Sequence, residues 1–143
     1  MFFGPSAGGF ASLFYAAQFD DSVAVPVNPQ TDISKYHPDA AAAWARLAWS
    51  VSPADIGGVP AQTSVLPIYA DRAKNKVLYV QNTGDTAHVE HQYKPFLETV
   101  GSAVDVTPVL VDSGPGHVAP PKEVLAAVLG AAVRDEAPPH MQV

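Results

Sequence analysis

Short apolar runs rich in β-branched residues alternate along this chain with segments of helical pattern, and this alternation limits the possible folds more than any other feature. Runs of this kind are typical of strands buried in a parallel sheet, where helices form the crossovers. The predicted strands are Met1–Phe3, Ser22–Val27, Lys76–Gln81 and Val104–Asp112. The sequence therefore predicts an α/β fold in three layers, with a mostly parallel sheet of about four strands and flanking helices.

Helices are predicted after each strand, and the longest irregular segment falls in the middle of the chain. The predicted helices are Gly8–Gln18, Asp39–Trp49, Tyr93–Val100 and Pro121–Arg134. From Val51 to Ala73 the chain carries five proline or glycine residues and no clear period, which predicts a long loop or an irregular lid. Residues 35–73 are therefore a candidate cap region, and the proline-containing segment 137–143 is expected to fray.

Two prolines interrupt the predicted strands. Pro26 and Pro108 each remove one backbone donor from the hydrogen-bond ladder of a sheet. The two strands that contain them are therefore expected to lie at a sheet edge, to carry a bulge, or to end earlier.

Size and composition indicate one globular domain and exclude several classes of function. The chain has 143 residues, of which 48% are apolar and 15% charged. A formal net charge of −6 without a basic stripe argues against a nucleic-acid partner. With no cysteine, catalysis must rest on Ser, His, Asp and Glu side chains. No apolar run reaches the roughly 18 to 20 residues of a membrane span, and no signal peptide is recognised, so we expect a cytoplasmic protein.

The motif Gly4-Pro5-Ser6-Ala7-Gly8 follows an apolar strand and precedes a helix. In this context G-x-S-x-G predicts a nucleophile elbow, a strained turn that projects the serine hydroxyl clear of the sheet. Glycines two residues before and after the serine let the strand and helix backbones approach. The following helix N-terminus favours a developing oxyanion, and the N–H of Ala7 is a candidate donor to it.

A serine hydroxyl needs a base to become a good nucleophile, and the chain offers one on another loop. His117 lies in a Gly/Pro-rich loop after the last strand, and Asp85 follows the strand Lys76–Gln81. Because loops at the carboxyl ends of parallel strands share one edge of the sheet, both are expected near Ser6. The candidate catalytic residues are thus Ser6, Asp85 and His117, in that order along the chain.

Several nearby residues offer alternatives. Glu90 is a second candidate for the acid, and Asp112 either orients His117 or caps its loop. His88 and His91 lie three residues apart, as metal ligands on one helical face do, but no third ligand is near them in sequence. We therefore expect them to face solvent or to start a helix, and we expect no metal.

Four further residues are candidates for substrate binding. Asn28 follows the strand Ser22–Val27 and either contacts substrate or forms a turn. Trp44 and Trp49, five residues apart in one predicted helix, either form an aromatic wall for the substrate or pack on the sheet. Pro5 is included because it adjoins the candidate nucleophile.

The elbow and the order serine, aspartate, histidine resemble the α/β-hydrolase superfamily of serine esterases and lipases. The resemblance runs from the elbow to the last helix and implies that Ser6 is the nucleophile, Asp85 the triad acid and His117 the general base. It also implies that Ala7 donates its N–H to the oxyanion. Members of this superfamily carry several strands before the elbow, with a loop that supplies a second oxyanion donor, and we expect this chain to lack that N-terminal half.

The resemblance implies a hydrolase of small carboxylic esters that forms an acyl-enzyme and needs no cofactor. One alternative is an impaired hydrolase fragment that acts as a binding or interaction domain, and another is an acyltransferase or thioesterase with the same triad. The elbow strand would lie unpaired at a sheet edge, so self-association through Met1–Phe3 is also expected.

Overall fold

The protein folds around a four-stranded sheet in which every neighbouring pair of strands is parallel. We describe residues 1–138 from a computed structural model, so most of the expected frayed tail 137–143 lies outside the described residues. The strands are β1 Phe2–Pro5, β2 Val23–Val27, β3 Lys76–Asn82 and β4 Asp105–Val111. Their order across the sheet is β1-β2-β3-β4, so each crossover joins adjacent strands.

Six α-helices lie in the part of the chain that the structure describes. They are α1 Ala7–Ala16, α2 Pro38–Trp49, α3 Leu66–Asp71, α4 Thr86–His88, α5 Lys94–Thr99 and α6 Lys122–Arg134. A single π-helical turn, Val89–Tyr93, joins α4 to α5, and short 3₁₀ turns span Ile33–Lys35 and Pro53–Gly58. Within residues 1–138, none of these helices combines the length and apolar character needed to cross a membrane.

Both faces of the sheet are buried. Helices α1, α3 and α5 cover the face that carries Val77 and Tyr79 of β3. Helix α6 covers the opposite face, which carries Leu78 and Val80 of the same strand. Because successive side chains of a strand point to opposite faces, a strand covered on both sides must be apolar throughout, which explains the continuous apolar runs of the sequence. The predicted α/β class and three-layer arrangement are confirmed.

Of the two prolines in the predicted strands, one lies in an edge strand and the other in a central strand. Pro108 lies in β4, an edge strand, where a missing donor is tolerated. Pro26 lies in β2, between β1 and β3, so its expected edge position is wrong. The β2–β3 register passes from Ala24 opposite Val77 to Val27 opposite Val80, with no paired residue at Pro26. The sheet therefore accepts this proline as a local gap in the ladder.

The prediction of a loop from Val51 to Ala73 is correct only for the first half of this segment. Leu66–Asp71 forms α3, and its residues Ile68 and Tyr69 are buried in the core beneath the sheet. Tyr69 also donates its hydroxyl to the carbonyl oxygen of Leu13 at 2.9 Å. This half of the segment therefore belongs to the helical layer and is not a loop.

Strand β1 occupies an edge of the sheet, as expected. Met1, which precedes β1, and Phe3, which lies within it, are exposed, with 56% and 46% of their surface accessible. Pairing of this edge with a second copy of the chain stays a prediction, and light scattering at several protein concentrations would test it.

Candidate active site

The carboxyl end of each strand contributes to one cluster of polar side chains. Ser6 follows β1, Gln30 follows β2, Asp85 and His88 follow β3, and His117 follows β4. Parallel strands place these ends at the same edge of the sheet, where ligand sites of open α/β sheets are found. The cluster is therefore a product of the topology rather than of any single motif.

Ser6 sits on a strained turn between β1 and α1. Its φ of 52° and ψ of −118° lie in a region that residues with side chains seldom adopt. Hydrogen bonds hold it there: the N–H of Ser6 donates to the carbonyl oxygen of Val27 at 2.9 Å. The carbonyl oxygen of Ser6 accepts from the N–H groups of Gly9 and Phe10 at 2.9 and 3.1 Å. The elbow predicted from the motif is present in this geometry.

Of the glycines around Ser6, Gly4 and Gly9 are required by space, whereas a Cβ on Gly8 would make an ordinary contact of 3.4 Å with the Cδ of Pro5. A Cβ on Gly4 would lie 2.3 Å from the carbonyl oxygen of Gly8, and a Cβ on Gly9 would lie 2.6 Å from the Cβ of Pro29. The first contact brings β1 against the start of α1, and the second brings the loop after β2 against α1. The second approach lets the loop after β2 lie beside Ser6.

Ser6, His117 and Asp85 form a chain of hydrogen bonds. Nε2 of His117 lies 3.1 Å from Oγ of Ser6, and Nδ1 of His117 lies 2.7 Å from Oδ2 of Asp85. The alternative acids are engaged elsewhere, since Glu90 is exposed and pairs with Lys94 while Asp112 accepts the N–H of Gly114 at 3.0 Å. Of the three candidate acids, Asp85 is therefore the one that contacts the imidazole.

The loop that carries His117 is held by one asparagine. The side-chain amide of Asn82 donates to the carbonyl oxygens of Gly114 and Gly116, both at 2.9 Å. Gly114 and Gly116 have φ values of 93° and 81°, which favour glycine. Gly84 lies so close to Gly114 that a Cβ on it would meet the Gly114 carbonyl oxygen at 2.1 Å. The histidine loop thus packs directly on the loop that carries Asp85.

Asn28, expected as a substrate contact or a turn, is part of this framework. It is buried with a φ of 42°, and its Oδ1 accepts the N–H of Asn82 at 2.7 Å. Its Nδ2 donates to the carbonyl oxygen of Val118 at 2.9 Å. Because both ends of the amide are bonded within the protein, the structure supports the turn and not the substrate contact.

His88 was expected to face solvent or to start a helix, and the first expectation is wrong. Its side chain is 4% exposed, and its Nδ1 lies 2.9 Å from Oδ2 of Asp85, the same oxygen that His117 contacts. The rings of His88 and His117 stack with centroids 4.3 Å apart. Asp85 caps α4, so a residue three positions later lies over its carboxylate. The three-residue spacing of Asp85 and His88 is the sequence feature from which their contact could have been predicted. His91 is exposed, as expected.

Gln30 is the second site residue that the sequence did not reveal. It is 4% exposed, and its Nε2 lies 2.9 Å from Oγ of Ser6 and 3.3 Å from Nε2 of His88. With these contacts the five side chains close a ring of hydrogen bonds. In order around the ring they are Ser6, His117, Asp85, His88 and Gln30.

The ionisation of Asp85 and His88 follows from their surroundings. Burial raises the pKa of Asp85, but hydrogen bonds from His117 and from the His88 backbone, with the two imidazoles beside it, hold this pKa below its usual value. Burial, with the neighbouring His117 imidazole, holds the pKa of His88 below its usual value although Asp85 acts to raise it. At neutral pH the ring therefore contains a carboxylate and a neutral His88.

Replacement of His88 by glutamine is expected to weaken the acid sensitivity of folding. Because the folded-state pKa of His88 lies below the usual 6.5, the unfolded chain takes up the proton first, and the stabilising effect of neutral His88 is lost as pH falls below 6.5. Urea unfolding between about pH 7 and pH 5 should show a smaller loss of stability in His88→Gln than in wild type. His91→Gln, at an exposed site, should retain the wild-type slope. Equal slopes in wild type and His88→Gln would contradict this expectation.

An apolar cavity of about 210 Å³ opens beside Ser6. Ala7, Gln30 and the ring of Trp44 are among its lining residues, which supports the expected aromatic wall at Trp44. Trp49 meets the Trp44 ring edge-on at 6.1 Å but is not among the lining residues, and Pro5 is exposed at the end of β1 and also lies outside the lining. A second cavity of about 410 Å³ shares Tyr36 with the first and is lined by His117 and His88.

The same cluster contains a set of side chains that could hold a metal. Ligand atoms of Asp85, His88 and His117 lie within 4.8 Å of one another. Two imidazole nitrogens and one carboxylate are a donor set that zinc accepts. Each of these groups is also bonded within the ring, so the cluster is satisfied by hydrogen bonds alone.

No protein-family model, no curated protein and no solved structure matches this chain. The inference of function therefore rests on the fold and on the geometry of the cluster.

Proposed function

We propose that this protein is a serine hydrolase that cleaves carboxylic esters. The observation that carries the proposal is the hydrogen-bonded chain from Ser6 Oγ through His117 to Asp85, with Ser6 on a strained turn at the start of α1. A nucleophile, a base within hydrogen-bond reach and a carboxylate that orients the base are the parts that acyl transfer to serine requires. The class also agrees with the resemblance of the motifs to α/β-hydrolases.

The roles follow from the atoms in contact. His117 takes the proton of Ser6 through Nε2 while Oγ attacks the ester carbonyl, and Asp85 holds Nδ1–H and stabilises the imidazolium. The tetrahedral intermediate then collapses, and His117 returns the proton to the departing alcohol. Water repeats the sequence on the acyl-enzyme, which releases the acid and restores Ser6. The N–H of Ala7, at the first position of α1 and so without a partner within that helix, is one donor to the oxyanion.

Esters fit this site better than amides for a chemical reason. An alkoxide leaves a tetrahedral intermediate more readily than an amine does, so it demands less of the acid and of the oxyanion donors. The cavity shared by His117 and Tyr36 gives the alcohol half of the substrate a place next to the group that protonates it. Transfer to an alcohol or thiol acceptor, or thioester cleavage, would use the same residues, and adding such acceptors to the assay would detect transfer as a new ester or thioester product.

The proposal is tested by hydrolysis of p-nitrophenyl esters in the presence of a chelator. We expect turnover with EDTA equal to turnover without it, because the serine mechanism uses hydrogen bonds of Asp85 and His117 and no metal. Loss of activity with EDTA and recovery with Zn²⁺ would instead favour a metal-dependent hydrolase built on Asp85, His88 and His117. No turnover in folded protein would leave the interaction-domain alternative.

The cavity beside Ser6 predicts preference for small acyl groups. An apolar protein cavity of about 150 Å³ holds benzene, so about 210 Å³ accommodates a benzoyl or butyryl group but not a twelve-carbon chain. We expect kcat/KM for p-nitrophenyl butyrate to exceed that for the laurate ester by at least about tenfold, the effect of one or two methylenes in a filled pocket.

A substitution in α2 checks that this cavity holds the acyl group. Ala40 lines the cavity and is exposed to it, so Ala40→Leu should reduce kcat/KM for the benzoate ester at least about tenfold and leave the acetate ester nearly unchanged. Ala48→Leu is the matched control, since Ala48 is exposed on the same helix outside the cavity lining. Equal effects of Ala40→Leu on benzoate and acetate would place the acyl group elsewhere.

A further inference from the structure

We infer that the side-chain amide of Gln30 is a catalytic donor to the oxyanion, and that His88 is a positioning residue that fixes this amide with its N–H groups toward Ser6. The inference rests on the proposed function and adds to it a second oxyanion donor, supplied by a side chain from the loop after β2. Three observations carry it: the closed ring of hydrogen bonds, the burial of Gln30 and the position of its amide beside Oγ.

The orientation of the amide follows from the charge of Asp85. An ionised carboxylate only accepts hydrogen bonds, so Nδ1 of His88 must carry a proton where it meets Asp85 at 2.9 Å. In the neutral imidazole the other nitrogen, Nε2, then has a lone pair and must accept. Only the NH₂ end of the Gln30 amide can satisfy it at 3.3 Å. Asp85 thus determines which nitrogen of His88 is protonated, and His88 in turn determines the orientation of the Gln30 amide.

The same NH₂ group therefore faces Ser6. One of its hydrogens points to Nε2 of His88, and the other is donated to Oγ of Ser6 at 2.9 Å. Oγ in turn donates its own hydrogen to Nε2 of His117, whose other nitrogen is protonated toward Asp85. Every donor in the ring meets an acceptor in this arrangement, which a reversed Gln30 amide would break at two points.

The backbone holds Gln30 at this place. Its N–H donates to the carbonyl oxygen of Ser6 at 3.4 Å, and the preceding Pro29 packs where Gly9 lacks a side chain. Gln30 is 4% exposed and lines the cavity together with Ser6 and Ala7. Gln30 therefore lies next to the space where the acyl carbonyl is proposed to bind, so a small shift of its amide would reach the oxyanion.

In the tetrahedral intermediate the oxyanion is bonded to the same carbon as Oγ. When Oγ bonds to that carbon it becomes a weaker acceptor, while the adjacent oxygen acquires a full negative charge. A donor 2.9 Å from Oγ gains by a small shift toward that oxygen, because hydrogen bonds to a charged acceptor are about twice as strong as neutral ones. The interaction strengthens only as the reaction proceeds, which is the requirement for catalysis.

The test compares Gln30→Glu and Gln30→Met with wild type. Glutamate keeps the shape of the side chain but offers no N–H at neutral pH, and methionine keeps its length without charge. We expect kcat for p-nitrophenyl butyrate to fall on the order of 100- to 1000-fold in both, with KM changed by less than about threefold. Gln18→Glu, at an exposed site two residues after the end of α1, is the matched control and should match wild type.

A second readout separates a catalytic from a structural role. A phenylboronic acid that adds to Ser6 imitates the tetrahedral intermediate, whereas benzoate imitates the product. Both Gln30 variants should lose on the order of 100-fold in affinity for the boronic acid and little for benzoate. His88→Leu, which frees the Gln30 amide to rotate, should weaken boronic acid binding at least about tenfold, and circular dichroism should show that each variant folds.

The outcomes are distinct. If wild type hydrolyses the ester and both Gln30 variants keep kcat and boronic acid affinity within about threefold of it, Gln30 is not an oxyanion donor while the serine mechanism stands. Equal losses of boronic acid and benzoate affinity would assign Gln30 a structural role and also overturn the inference. If wild type neither hydrolyses esters nor binds the boronic acid, the proposed function itself fails, and the inference fails with it.

Discussion

Replacement of Ser6 by alanine is expected to remove ester hydrolysis almost completely, with a loss in kcat on the order of 10⁴- to 10⁶-fold. In the proposed mechanism the Ser6 hydroxyl, which lies 3.1 Å from Nε2 of His117, is the group that forms the acyl-enzyme. Removal of the base in His117→Ala should have a similar effect. The double variant should be little worse than either single one, because the two residues act as a unit.

Two controls keep this result interpretable. Ser34→Ala changes an exposed serine whose hydroxyl donates to Asp32, and it should hydrolyse esters at the wild-type rate. Thermal unfolding should show that Ser6→Ala folds, because alanine keeps the same backbone strain as serine at a φ of 52°. Residual activity of Ser6→Ala above about one tenth of wild type would show that ester cleavage occurs without this serine.

Replacement of Gly4 by alanine is expected to destabilise the protein by about 3 kcal/mol or more. A Cβ at this position would lie 2.3 Å from the carbonyl oxygen and 2.4 Å from the carbonyl carbon of Gly8, both backbone atoms. The clash cannot be relieved by a rotamer change, so β1 and the start of α1 must move apart. That movement would also displace Ser6 from His117.

The measurement is the midpoint of thermal or urea unfolding, with activity measured on the folded fraction. Gly57→Ala is the matched control, because among residues 1–138 no atom beyond its chain neighbours lies within 4 Å of the added Cβ. Surface changes of this kind alter stability by about 0.5 kcal/mol or less. A Gly4→Ala protein as stable as Gly57→Ala would mean that the close approach of β1 and α1 is not required.

Sequence alone was sufficient for the fold class and for the three residues of the hydrogen-bonded chain. The elbow around Ser6 is a local pattern, and Asp85 and His117 lie in the loops that follow β3 and β4. The rule that parallel strands end at one edge then brings all three together. Each step uses neighbours in sequence plus one general property of the fold.

Gln30 and His88 were not predictable in the same way. The role of Gln30 depends on how closely the loop after β2 approaches α1, which is set by the contact of Pro29 with Gly9. The burial of His88 depends on Asp85 starting a helix at that point, so that the imidazole folds back over its carboxylate. Both are consequences of tertiary contacts that a pattern of residue types does not contain.

Tertiary contacts also explain where the secondary structure predicted from the sequence was wrong. Leu66–Asp71 carries a proline, Pro67, and the segment before it is irregular, so local preference favoured a loop. Burial of Tyr69 against Leu13 stabilises a helix there, and the proline falls in its first turn, where its missing N–H is harmless. Pro26 is tolerated in a central strand because pairing resumes at Val27.

The most direct test of the serine mechanism is covalent labelling by a fluorophosphonate, followed by intact-mass and peptide mass spectrometry. An activated serine displaces fluoride from phosphorus and keeps the phosphonyl group, whereas an ordinary serine does not react. We predict a single adduct on Ser6 in the wild-type protein and none in Ser6→Ala. Folded wild-type protein that remains unlabelled, or that is labelled at another residue, would contradict the assignment of Ser6 as the nucleophile.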